Sequence, residues 1–159
     1  MEVVGKVEKL TVEDILSFAM RIEEESFRFY RTARDVFGDD DSSRIMDQLA
    51  QEETNHINWL RELLEKPAAK SVNPEDTIGF DTDLFKGMII GEEIHSRLTT
   101  RDILNIALER EKKTMHLYDT MHSMSSMNET VRDTFRVLRE QEQSHVHRVQ
   151  KLLRESEIT

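Results

Sequence analysis

The chain has 159 residues, a formal net charge of -10 and no cysteine. Its length suits one domain with a single core, and the lack of cysteine excludes disulfides, thiolate zinc sites and iron-sulfur clusters. The negative charge disfavours binding to nucleic-acid phosphates, and no apolar run resembles a signal peptide or approaches the roughly 20 residues of a membrane span. We therefore expect a single cytoplasmic domain over residues 1–159 that binds neither nucleic acid nor membranes.

Glycine and proline divide the sequence into four long stretches that favour helix. Thr11 with Asp14, and Thr99 with Asp102, have the spacing of N-terminal capping boxes. Asn128 is a good N-cap for the last stretch. The predicted helices are 11–37, 43–65, 99–123 and 128–155.

Residues 66–98 separate the second predicted helix from the third. They contain both prolines and three of the five glycines. Loops this long are uncommon in compact domains unless they have a structural role. We predict a crossover with one or two short helices, which carries the chain from one end of a bundle to the other.

The two halves of the sequence repeat. A shift of 88 residues places TVEDILSFAMRIEEESFRFY over TTRDILNIALEREKKTMHLY, and a shift of 89 aligns the second predicted helix with the fourth. This pattern predicts a duplicated helical hairpin, and two hairpins predict an all-α four-helix bundle with a pseudo-twofold axis. The polar residues that match are Glu23 with Glu111, Tyr30 with Tyr118, Glu53 with Glu142 and His56 with His145.

Each predicted core stripe carries polar residues near its middle. Glu23 is the only charged residue on the apolar stripe of the first helix, and Glu111 has the same place on the third. The second and fourth stripes contain a Glu-x-x-His pair instead, Glu53 with His56 and Glu142 with His145.

Four buried carboxylates in one layer are unfavourable unless their charge is offset. Two divalent cations would balance four glutamates, and residues three apart on a helix share a face, so Glu53 and His56 can bind one ion together. Helical bundles build di-metal sites from this combination of residues. The alternative is a metal-free bundle whose partly protonated carboxylates are hydrogen-bonded to the histidines.

Four stretches carry a family resemblance: AMRIEEESFRFY, LAQEETNHINWL, ALEREKKTMHLY and LREQEQSHVHRV. They resemble the ligand-bearing helices of the rubrerythrin branch of the ferritin-like di-iron carboxylate proteins, over most of the chain except the crossover. The resemblance implies a ferritin-like bundle of two duplicated hairpins that holds two iron ions per chain. It implies that Glu53 and Glu142 bridge the two irons, that Glu23 and Glu111 are terminal ligands, and that His56 and His145 each bind one iron.

Two tyrosines follow the helix glutamates by two turns. Tyr30 and Tyr118 resemble the family's tyrosines that hydrogen-bond ligand carboxylates. Core aromatics whose hydroxyls are satisfied locally would fit the same pattern.

The chain departs from typical rubrerythrin at two points. It lacks the four cysteines of a rubredoxin-like domain, so the resemblance implies a separate electron-donor protein. Thr114 takes the place of an additional family glutamate, one turn after Glu111. The six ligands that remain are closer to the set of bacterioferritin.

The resemblance implies an oxidoreductase that reduces hydrogen peroxide or dioxygen with electrons from that donor. The alternative is a non-catalytic iron-handling protein of the ferroxidase type. Mixed carboxylate and imidazole ligands suit iron or manganese, and zinc can also occupy such a site. Because closed homo-oligomers are common, we also expect a homodimer.

The remaining acids and histidines are predicted outside the core. Glutamates off the core stripes are expected to be solvated, and histidines without a partner acid at ligand spacing are expected at the surface or in the crossover. These residues are Glu24, Glu25, Glu52, Glu109 and Glu140, and His95, His116, His122 and His147.

Overall fold

The computed structural model describes residues 7–38, 40–69, 78–81, 94, 98–123 and 128–156. Within these ranges the chain forms long helices and a two-stranded sheet. The elements are β1 (Val7–Leu10), α1 (Val12–Phe37), α2 (Asp41–Glu65), β2 (Ile78–Asp81), α3 (Thr100–His122) and α4 (Glu129–Ser156). None of these helices has an apolar window long enough to cross a membrane.

The capping boxes predicted for α1 and α3 are present. Thr11 Oγ1 accepts a hydrogen bond from the Asp14 N–H, and the Asp14 carboxylate accepts one from the Thr11 N–H, both at 3.1 Å. At the start of α3, Thr99 Oγ1 accepts from the Asp102 N–H at 3.1 Å, and the Asp102 carboxylate accepts from the Thr99 N–H at 2.9 Å. Gly38 ends α1 at a φ of 73°, which glycine adopts without the steric cost of a Cβ.

The start of α2 differs from the prediction. The predicted helix 43–65 begins two residues earlier, at Asp41. The Asp40 carboxylate accepts a hydrogen bond from the Ser43 N–H at 2.8 Å, which makes Asp40 the N-cap. Aspartate caps a helix as well as serine does, so the earlier residue takes the role.

The helices form two hairpins, α1 with α2 and α3 with α4, and the closest backbone packing lies within each hairpin. The predicted four-helix bundle is confirmed. Its buried apolar side chains fall into two clusters along the helices. On α1, for example, Leu16 and Ile22 belong to one cluster and Phe29 and Ala33 to the other, with buried Glu23 between them. A polar layer therefore crosses the middle of the core.

Part of the predicted crossover forms a strand, which the sequence did not indicate. β2 pairs with β1 in antiparallel register, with Leu10 opposite Ile78 and Val7 opposite Asp81. A single 3-10 turn, Pro67–Ala69, follows α2. Any other short helix predicted in the crossover lies outside the described residues. The segment IGFD is too short to predict a strand, and its partner precedes α1, so this pairing depends on tertiary context.

Candidate metal centre

The polar layer contains all six predicted ligands. Each is at most 1% exposed. They come from all four helices: Glu23 from α1, Glu53 and His56 from α2, Glu111 from α3, and Glu142 and His145 from α4. One-turn spacing brings the Glu-x-x-His pairs onto the inner faces of α2 and α4.

One half of the layer surrounds His56. Its Nδ1 lies 3.2 Å from Glu23 Oε2, 3.2 Å from Glu142 Oε1 and 3.6 Å from Glu53 Oε2. One ligand atom from each of these four residues can be chosen so that all lie within 4.8 Å of one another. Four donors this close can hold a single cation, and we call the group the His56 half-site.

The other half surrounds His145. Its Nδ1 lies 3.1 Å from Glu53 Oε1, 3.4 Å from Glu111 Oε2 and 3.5 Å from Glu142 Oε2. These four residues, the His145 half-site, meet the same 4.8 Å limit. Glu53 and Glu142 belong to both half-sites and turn one oxygen toward each histidine. The arrangement suits two carboxylates that bridge two cations.

The two predicted tyrosines each form a hydrogen bond to a glutamate of the other hairpin. Tyr30 of α1 donates a hydrogen bond to Glu111 Oε1, and Tyr118 of α3 donates one to Glu23 Oε1. The second oxygen of each glutamate faces a histidine, so each tyrosine holds one side of a carboxylate. Burial, followed by the charge of neighbouring glutamates, raises the pKa of both hydroxyls well above 10.0 and keeps them protonated donors.

Without a cation, protons offset part of the buried negative charge. Burial disfavours charged His56, but Glu142 and Glu53 outweigh it and raise the pKa of His56 to about 10. Glu111 and Glu142 likewise overcome burial and raise the pKa of His145 well above 6.5. Burial and neighbouring carboxylates raise the pKa of Glu142 to about 8, whereas the two imidazoles outweigh burial and lower the pKa of Glu53 to about 2. His56, His145 and Glu142 therefore carry protons near neutral pH.

Several ligand atoms have no hydrogen-bond partner within the described part of the chain. Buried polar atoms normally form hydrogen bonds. Carboxylate oxygens and imidazole nitrogens are also ligand atoms for iron, manganese and zinc. The residues of the layer therefore fit divalent cations. The atoms concerned are both carboxylate oxygens of Glu53 and of Glu142, Glu111 Oε2, His56 Nε2 and both ring nitrogens of His145.

Glu52 corrects one expectation, because it is not simply a solvated glutamate. Its side chain is 32% exposed, and its Oε2 lies 3.3 Å from Nε2 of His145. The same oxygen forms an ion pair with Arg148. The available signal was the spacing of His145 and Arg148, which puts an arginine one turn from a ligand and on the same helix face.

The other predicted surface residues follow the prediction more closely. Glu109, Glu140, His116 and His147 are exposed. Three more are partly buried away from the six ligands: Glu24, Glu25 and His122. His95 lies outside the described residues.

Within the described residues, sequence reasoning did not predict the burial of four further polar residues, Ser26, Ser43, Arg110 and Thr114. Arg110 is 4% exposed, donates a hydrogen bond to Ser26 Oγ at 3.2 Å and lies over the Phe29 ring. Thr114 is 2% exposed, and its hydroxyl donates to the Arg110 carbonyl at 2.9 Å. Arg110 and Thr114 lie in the charged run ALEREKKT, whose composition does not indicate burial.

A four-helix bundle with a Glu from two helices and a Glu-x-x-His from the other two is the architecture of the ferritin-like di-iron carboxylate proteins. The sequence profile of the rubrerythrin family matches residues 14–153. Because this match spans most of the chain, the protein belongs to the rubrerythrin family.

Solved structures support the same fold. A Thermotoga maritima protein described as ferritin-like and diiron-carboxylate is 24% identical, with a TM-score of 0.72 over 94% of this chain and 98% of that one. A hypothetical protein from Pyrococcus furiosus is 20% identical, with a TM-score of 0.68 over 91% of this chain and 89% of that one. No curated protein matches the sequence significantly. The predicted ferritin-like fold is confirmed.

Proposed function

We propose that the protein is a non-haem di-iron oxidoreductase that reduces hydrogen peroxide or dioxygen with electrons from a separate donor protein. One observation carries the proposal: two buried groups of three carboxylates and one imidazole share Glu53 and Glu142. This sharing supports two ions per chain. Membership of the rubrerythrin family supports iron over manganese or zinc.

The side chains would hold the ions in the following way. Glu53 and Glu142 turn one oxygen to each half-site and would bridge. Glu23 and Glu111 are each tied through one oxygen to a tyrosine and would be terminal ligands. The imidazoles of His56 and His145 would bind through Nδ1, the nitrogen that faces the carboxylates.

Charge balance supports two cations. Four ionised glutamates bring four negative charges into a layer that is closed to water, and two divalent ions offset them while the imidazoles stay neutral. Two iron ions held by these residues would supply the redox chemistry for reducing peroxide or dioxygen, with the electrons replaced by a donor. The surrounding residues exclude bulk water and fix the positions of the carboxylates.

The chain has no cysteine, so it offers no thiolate iron site for electron transfer. We therefore assign the reductant to a separate one-electron donor protein. Reduction of one peroxide to two waters consumes two electrons from this donor and two protons from solvent.

One observation favours iron uptake and oxidation without peroxide turnover as a second candidate. Thr114 occupies the position expected for an additional carboxylate, and its buried hydroxyl donates to a backbone carbonyl. The centre thus has six side-chain ligands, as a ferroxidase-type site would.

Turnover separates the two candidates. Iron-loaded protein would be mixed with excess hydrogen peroxide and a reduced donor, and peroxide consumption and retained iron would be counted. The proposal predicts many turnovers per chain, lost in the Glu53→Ala, Glu142→Ala variant and kept in a surface control, Glu109→Ala, Glu140→Ala. Retention of more than two irons per chain without peroxide turnover would favour iron handling instead.

A further inference from the structure

We propose that Glu52 is a positioning residue for His145 and that it makes the two half-sites unequal, so that the His145 half-site binds a divalent metal more tightly. The inference rests on the proposed di-metal centre. It concerns which half-site fills first.

The two ring nitrogens of His145 have different neighbours. Nδ1 faces the carboxylates of its half-site, whereas Nε2 lies 3.3 Å from Glu52 Oε2. A carboxylate beside Nε2 favours the tautomer with its proton there, which leaves Nδ1 free to bind a metal. Glu52 belongs to α2 and His145 to α4, so this contact also sets the ring orientation from the opposite hairpin.

Arg148 holds Glu52 in place. It lies one turn after His145 on α4 and forms an ion pair with the same Glu52 oxygen that approaches Nε2. The two side chains are 26% and 32% exposed, so solvent screens this pair only in part. Glu52 is therefore fixed by α4 as well as by its own helix.

The repeat shows that the other half-site lacks this support. The shift of 89 residues maps Glu52 onto Gln141 and Arg148 onto Trp59. Trp59 stacks against the His56 ring, with centroids 5.7 Å apart. His56 Nε2, like His145 Nε2, is buried without a hydrogen bond of good geometry within the described residues. The difference is that the carboxylates near His56 all approach its Nδ1, and none is found beside its Nε2 among these residues. Gln141 thus takes the place of the Glu52 carboxylate, and within the described residues no carboxylate beside Nε2 selects the metal-binding tautomer of His56.

The consequence is a difference in affinity. Loss of the outer partner of a metal-bound histidine typically weakens metal binding by about 10- to 100-fold. The first equivalent of metal should therefore enter the His145 half-site. Glu52→Gln should weaken this first binding event by about 10- to 100-fold and leave binding to the His56 half-site nearly unchanged.

Cobalt(II) titration of metal-stripped protein, with a chelator competitor, tests the proposal. The variants are Glu52→Gln, His56→Ala, His145→Ala and the control Glu140→Gln, which alters an exposed glutamate that also pairs with an arginine. We expect His56→Ala and Glu140→Gln to keep the tight first binding event, His145→Ala to lose it, and Glu52→Gln to weaken it by about 10- to 100-fold. Thermal melts would establish that each variant is folded.

Three results would overturn the inference. Equal effects of His56→Ala and His145→Ala would mean equal half-sites, and unchanged cobalt affinity in Glu52→Gln would remove the role of Glu52. Equal weakening of both binding events in Glu52→Gln would indicate a general structural defect. If the wild-type protein bound no cobalt, the proposed di-metal centre would fail together with the inference, whereas two bound ions with equal half-sites would leave the centre intact.

Discussion

At the scale of single residues, hydrogen bonds between the two hairpins hold glutamates of the polar layer in place. Glu23 accepts a hydrogen bond from the hydroxyl of Tyr118, and Glu111 accepts one from Tyr30, in each case from the other hairpin. The family resemblance implied that these tyrosines lie near the ligands, whereas the residue pattern alone also fitted ordinary core aromatics. Which tyrosine bonds which glutamate could not be predicted from the sequence, because each hydrogen bond joins α1 to α3 and depends on how the two hairpins pack.

Tyr118→Phe would remove one of these hydrogen bonds and keep the aromatic ring, which packs against Phe135. The variant leaves Glu23 Oε1 buried without its donor, so we expect the metal-free protein to lose about 1–3 kcal/mol of unfolding free energy. Urea denaturation measures this loss. Tyr30→Phe is the matched variant and should behave alike, whereas unchanged stability in both would contradict a structural role for the hydroxyls.

The stability of the metal-free protein should depend on pH with a definite sign. The pKa of His56 is about 10 in the folded protein and 6.5 ordinarily, so the folded state keeps a proton that the unfolded chain releases. The raised pKa values of His145 and Glu142 act in the same direction. Stability from Glu142 is therefore lost as pH rises from about 4.5 to 8, and stability from His56 as pH rises from about 6.5 to 10.

Melting temperatures measured across this pH range, with and without bound metal, check that expectation. The melting temperature of the metal-free protein should fall as pH rises. Bound metal replaces the protons, so the loaded protein should show a smaller fall. Glu53 acts in the opposite direction, but only below its ordinary pKa of 4.5. A flat profile for the metal-free protein would contradict the account.

At the scale of the elements, the first and third helices begin in the same way. Thr11 and Thr99 each cap a helix that carries a buried glutamate of the polar layer about three turns further on. These boundaries were predictable because a capping box depends only on residues within one turn. The sequence does not select one start for α2, because Asp40, Ser42 and Ser43 all have side chains that can cap a helix.

Thr99→Ala would remove the Oγ1 that accepts the Asp102 N–H. We expect a loss of about 1 kcal/mol of unfolding free energy. Thr100→Ala is the control, because Thr100 is the exposed first residue of α3 and should change stability by less than about 0.5 kcal/mol. Equal losses in both variants would show that the cap itself contributes little.

At the scale of the whole molecule, duplication made the bundle and its polar layer predictable. Each hairpin repeats the same helical stripe, and the Glu-x-x-His pairs lie on that stripe, so the six candidate ligands follow from local periodicity. Contacts between distant segments could not be predicted in this way. The pairing of β1 with β2 and the approach of Glu52 to His145 depend on how the hairpins and the crossover pack.

The central claim is that the polar layer is a centre for two metal ions. The most direct test is an anaerobic titration of metal-stripped protein with ferrous iron, counting bound iron per chain. We predict saturation near two, abolished in the Glu53→Ala, Glu142→Ala variant and retained in the Glu109→Ala, Glu140→Ala control. Absence of tight binding in the wild-type protein, or unchanged binding without the two shared carboxylates, would contradict the claim.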